Sequence, residues 1–189
     1  DRRISPSVDS ALDTVVRNRL SVLALSFLVM HIIGLTTFAF VPDSAIPLTM
    51  SREFRRAMFA LLAAPALLHL GMLILSRMRS LPARYAIRRS YVYHVASCLL
   101  LGFAGYVLPS QGIVYARVPV LAVWVLLFPF AVTIPPRKAA LFALAGALTN
   151  PVMVAIHVGL LGAAIPAELL LIDTVTTCLF AVASVAASG

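Results

Sequence analysis

The residues of this chain whose types and places bear chemistry are its four histidines, all of which fall within strongly apolar stretches. His31 lies near the middle of the first stretch. His69 lies about seven residues before the end of the second, and His94 about six or seven residues into the third. A short basic segment joins the second and third, so the two should run antiparallel as neighbours. At ~1.5 Å of helical rise per residue, His69 and His94 then sit at similar depth, ~10 Å from their shared end. A facing pair of imidazoles can ligate a haem iron or another metal, or share a proton. Equally, each can bond a backbone carbonyl or a hydroxyl on the next helix. A second group comprises Arg117, His157 and Asp173, with Glu168 nearby. Arg117 and Asp173 can pair as ions with His157 at matching depth, because a lone carboxylate in a low-dielectric site either protonates or finds a partner. The group reads as a structural tie or as a proton or ligand site. Two prolines mark bends: Pro65, and Pro151 preceded by Asn150. Each removes a helical N–H, and Asn150 can bond the carbonyl so freed or a neighbouring helix.

The elements that must position these groups follow from length and greasiness. A helix needs about 20 predominantly apolar residues to cross a bilayer. Six stretches qualify, at 20–41, 56–76, 88–108, 113–134, 138–160 and 167–188, and they hold most of a 189-residue chain that is 61% hydrophobic. The expected fold is all-α: a polytopic membrane protein, a bundle of six transmembrane helices. Residues 1–19 form a cytoplasmic juxtamembrane segment and 20–189 the bundle. Ser5-Pro6 and Asp9 read as a helix start, and Val8, Leu12, Val15 and Val16 recur at helical spacing. A short amphipathic helix leading into the first span is the expectation. Ser51-Arg52-Glu53 reads as the start of the second helix. Tyr91 and Tyr93 open the third span where an aromatic belt belongs. Small residues recur four apart at Ala60 and Ala64, at Ala139, Ala143 and Ala147, and at Ala183 and Ala187, which lets backbones approach closely.

The net charge of +8 is a matter of orientation. Arg2, Arg3, Arg17, Arg19, Arg77, Arg79, Arg84, Arg88, Arg89, Arg137 and Lys138 fall on one side of the six spans. Arg52, Arg55, Arg56 and Arg117 fall on the other. The positive-inside rule puts the richer side, with both termini, in the cytoplasm of a bacterial inner membrane. No basic face is interleaved with aromatics outside the spans, so nucleic acid is not an expected partner. Cys98 and Cys178 lie inside spans without metal-ligand spacing and read as small apolar fillers. No nucleophile stands at workable spacing from a base, and there is neither a zinc signature nor a phosphate-cradling loop. No catalytic residue and no metal site is expected.

The run Val132-Thr133-Ile134-Pro135-Pro136-Arg137-Lys138, continuing through an Ala/Leu-rich span to Leu148-Thr149-Asn150-Pro151, resembles a recurring feature of bacterial six-helix membrane domains. Such domains precede cytoplasmic serine/threonine kinase domains, and comparable ones precede class III nucleotide cyclases. Arg17-Asn18-Arg19-Leu20 before the first span fits the same pattern. The resemblance implies a sensory or anchoring domain that couples membrane input or dimerisation to a cytoplasmic output domain absent from this chain. It carries over no catalytic residue. One alternative is an accessory subunit of a larger redox or light-harvesting complex, with His69 and His94 holding a haem or pigment. A second is a small transporter, since Pro65 and Pro151 interrupt the second helix of one half and the middle helix of the other. The first reading requires no cofactor. Its partners are the lipid bilayer and either a second copy or other membrane subunits.

Overall fold

The computed structural model describes residues 6–40, 52–78, 80–81, 83–107, 120–132, 136–160, 162 and 164–187. Among them are six helices and no strand: α1 (Pro6–Phe40), α2 (Arg52–Arg77), α3 (Ala83–Val107), α4 (Val120–Ala131), α5 (Pro136–Gly159) and α6 (Ala167–Ala187). Five of the six are long and apolar enough to cross a membrane. Helix α4 is the exception. Its 12 residues reach only ~18 Å, against ~30 Å of hydrocarbon. Of the stretch expected at 113–134, the flanks 113–119 and 133–134 lie outside the described residues.

Helix α1 is a single element of 35 residues. The amphipathic segment expected at its start is therefore continuous with the first span. It begins at Pro6, where the fixed φ of proline suits a first turn, and no further proline interrupts it before Phe40. At Arg52, as the Ser51-Arg52-Glu53 signal reads, α2 begins.

The outward faces of the bundle are apolar, and its apolar core also holds the buried polar side chains. Val22, Leu67, Val92, Leu141, Leu171 and Val182 point outward from five helices. Histidines, serines, threonines, Asn150 and Asp173 point inward. Outward hydroxyls on α1 close onto their own helix: Ser26 donates to the Val22 carbonyl and Thr36 to that of Ile32. Such bonds satisfy a hydroxyl within its own helix, as an apolar surrounding requires.

Contacts set the directions of the helices. Ser21 meets Ser76, and Phe27 and His31 meet His69, so α1 and α2 run antiparallel. Helix α3 runs parallel to α5: Tyr91 stacks on Phe142, Gly102 abuts Thr149, and Tyr106 reaches His157. Helix α4 threads between them, touching α1, α3, α5 and α6. Seven of its twelve residues are buried, which is what a helix apolar on every side requires.

Close approach depends on small residues. A Cβ at Gly146 would collide with Cγ2 of Val125, and one at Gly102 would lie 2.7 Å from Cγ2 of Thr149. The α5 row Ala139, Ala143 and Ala147 packs in the core, whereas Ala183 and Ala187 of α6 are exposed. These two rows therefore differ in role, although their spacing is the same.

Candidate functional site

Trp124 of α4 is the hub of the buried chemistry. It is fully buried, and rings from three helices close around it. Phe27 of α1 meets it edge-on at 4.7 Å between centroids, and Tyr93 of α3 edge-on at 5.1 Å. His69 of α2 lies at 5.5 Å, and His94 of α3 is stacked at 6.1 Å. The two histidines that matching depth would pair thus share Trp124 as a neighbour. The imidazole packed against His69 is His31 of α1, at 5.0 Å.

Each histidine has one nitrogen fixed by a specific partner. His31 Nδ1 donates to the Phe27 carbonyl at 2.7 Å, and His157 Nδ1 to the Met153 carbonyl at 2.8 Å, each one turn back on its own helix. His94 Nε2 donates to the Phe142 carbonyl of α5 at 3.2 Å, with Cys98 Sγ 3.6 Å from the same nitrogen. His69 Nδ1 lies 2.6 Å from the Tyr93 hydroxyl. A carbonyl only accepts, so these bonds assign the hydrogen on His31, His94 and His157. The second nitrogens of His69, His94 and His157 are buried without a hydrogen-bond partner.

Tyr93, expected in an aromatic belt, is instead a core residue. It follows Tyr91 by two positions, about 200° around the helix, so only one of the two can face outward. Tyr91 is the half-buried one, stacked on Phe142 at 4.7 Å.

The rings of His69 and His94, the pair of the haem or pigment reading, are both buried among aromatic side chains, and Trp124 lies against each. Among the described residues, no three His, Cys, Asp or Glu side chains gather as a metal site would require.

Of the second expected group, two members fall among the described residues. Arg117 lies outside the described residues. His157 and Asp173 are both buried. His157 turns toward α3, against Phe103 at 4.7 Å and Tyr106 at 5.9 Å. Asp173 lies in the α5–α6 seam. There Asn150 Nδ2 donates to the Asp173 carbonyl at 3.1 Å and to Thr177 Oγ1 at 2.8 Å, and Thr177 Oγ1 donates onward to the same carbonyl at 2.7 Å. Asn150 thus bonds the neighbouring helix. Pro65 of α2 is buried and Pro151 of α5 exposed, both within continuous helices. Pro129 in α4 is a third intrahelical proline.

A further cluster is not foreseeable from the sequence. Arg17 of α1 donates to the carbonyls of Met78, at 3.1 Å, and Leu81. Arg19 donates to the Phe130 carbonyl at 3.4 Å. Two neighbouring arginines thereby cap the C-terminal ends of α2 and α4, where carbonyls lack helical partners and the helix dipole favours a cation. The only signal for them is the Arg-Asn-Arg spacing, which carries no record of its acceptors.

No family model, curated protein or solved structure matches this chain.

Proposed function

We propose that this chain is a membrane-embedded anchoring and sensory domain of a signalling protein, with both ends on the cytoplasmic side of a bacterial inner membrane. The reading takes all six helices as embedded. The observation that carries it is the unbroken α1. That helix runs unbroken from Pro6 into the core, and its Arg17 and Arg19 fasten the ends of α2 and α4. A displacement at the His31 level of α1 is transmitted along one rigid rod to the end of the bundle where Arg77, Arg137 and Lys138 also lie. That end is the basic one, as the positive-inside rule asks of a cytoplasmic face. A kinase or cyclase output would be carried outside these residues. Input would come from within the bilayer or from a partner protein.

The exposed Ala183 and Ala187 of α6 suit close approach by another helix. They support pairing with a second copy, and equally the alternative of an accessory subunit in a larger complex.

Two experiments test the proposal. A fluorescent reporter that matures only in the cytoplasm, fused after Gly189, should light up; activity of a periplasm-dependent phosphatase at the same junction would overturn the orientation. The reading frame should continue past Gly189 into a catalytic domain. A stop codon there would sink the signalling role and leave the accessory-subunit reading.

A further inference from the structure

His31 and His69 face one another across the α1–α2 seam, ring centroids 5.0 Å apart. As the rings stand, His69 Nε2 has no hydrogen-bond partner; a small rotation or approach of the rings would bring two ring nitrogens to an N–H···N distance of about 3 Å. The Phe27 carbonyl holds the hydrogen of His31 on Nδ1, so its Nε2 is a lone pair. His69 is fully enclosed, and its Nε2 is buried with no hydrogen-bond partner. Its Nδ1 meets the Tyr93 hydroxyl, which can donate or accept. If Tyr93 accepts, His69 Nε2 is a buried lone pair without a donor. If Tyr93 donates, the Nε2–H of His69 lacks an acceptor within bonding distance. Either arrangement leaves a buried polar atom unsatisfied.

We propose that His31 and His69 form a buried proton-binding site, steadied by Tyr93, in which one proton is held between the two Nε2 atoms. The proton comes from hydronium in the aqueous phase, where one O–H bond breaks and a water molecule is left. The proton forms an N–H bond at His31 Nε2, which then donates to His69 Nε2, and the hydrogen of His69 resides on Nδ1 and is donated to the Tyr93 oxygen. No covalent bond of the protein breaks other than this transfer of hydrogen between nitrogen and oxygen. The loaded site is one unbroken chain: Phe27 carbonyl, His31, His69, Tyr93.

The surroundings suit a monocation. Phe27 of α1 and Trp124 of α4 present rings to His69 at 5.5 Å each, and aromatic faces attract positive charge. The hydrogen bonds and ring contacts of the two histidines run to Phe27, Tyr93, Trp124 and each other. Of these, Tyr93 from α3 is the other titratable group at the pair, and His94 of α3 is reached only through Trp124. Two nitrogens without a third ligand also fall short of what zinc takes from a protein. Loading draws α1 toward α2, and α3 with them through Tyr93. The inference goes beyond the anchoring role and does not depend on it.

The test uses the chain's one tryptophan, Trp124. An imidazolium quenches indole emission more than neutral imidazole does. The whole chain, in lipid nanodiscs, is titrated from about pH 8 to about pH 4. We expect one step in emission, on the order of twofold. His31→Gln and His69→Gln should each abolish it. His94→Gln should keep it, and Tyr93→Phe should move its midpoint by about half a pH unit or more. Loss of the step in His94→Gln with retention in the other two would overturn the proposal, as would a wild-type protein with no step. Nitrogen-15 spectra of histidine-labelled wild-type protein remove any dependence on variants that fail to fold. Two of the four imidazoles should change together; four independent titrations, or none, would overturn the proposal.

Discussion

Phe27, His69, Tyr93 and His94 all turn rings onto Trp124, whereas Asn150 and Thr177 join α5 to α6 through an amide and a hydroxyl. The first region is held mainly by area and shape, with the His69–Tyr93 hydrogen bond as its one directional link between these rings. The second is held by direction, within about one turn of Pro151. On the proposed membrane placement there is no hydrophobic drive between helices, since lipid tails are as apolar as leucine. Dispersion across fitted rings and hydrogen bonds across the seam are the two means left, and this molecule assigns one to each region. They should fail differently. A packed ring region loses stability with lost volume, and a hydrogen-bonded seam loses it with lost polarity at constant volume.

Four substitutions sharpen that contrast, in descending order of effect. Trp124→Ala removes the hub and leaves a cavity that four helices cannot close. We expect a loss of about 3–5 kcal/mol, read as a large fall in melting temperature in detergent, with Trp124→Phe recovering part of it. Gly146→Ala places a methyl against Val125 and should cost about 1–3 kcal/mol. The paired change Gly146→Ala with Val125→Ala should recover much of that loss, and failure to recover would show that the α4–α5 approach is set elsewhere. Asn150→Leu keeps the volume and deletes both bonds to α6. The expected cost is about 0.6–2 kcal/mol, and a neutral result would mean that the seam, too, is held by shape. Arg17→Gln should cost about 1 kcal/mol or less. Its signature is local: faster hydrogen exchange in the Met78–Leu81 turn, with the Trp124 region unchanged.

Much of the architecture is legible in the amino-acid sequence. Helix positions follow from apolar stretches of crossing length, and for five of the six the stretch and the helix end close together. The α2 start at Arg52 and the position of Asn150 at a helix–helix contact are also readable. Less legible is the difference between α4 and the rest. Its composition marks it as apolar on all sides, yet nothing local says that it occupies the centre. Tyr93 misleads for a related reason. Its place near a span end suggests an interface, and only the helix rotation shows that it faces His69.

By itself, the amino-acid sequence determined how far along each helix a residue lies, because rise per residue is constant. It thereby put His69 and His94 at matching depth and all four histidines within apolar helices. The tertiary structure alone decided the azimuth: which way each helix is turned about its own axis. Each residue advances about 100° around a helix, and the final rotation is fixed by the packing of large and small side chains, here Trp124 against Phe27 and Val125 against Gly146. That rotation brought His31, rather than His94, to the ring of His69.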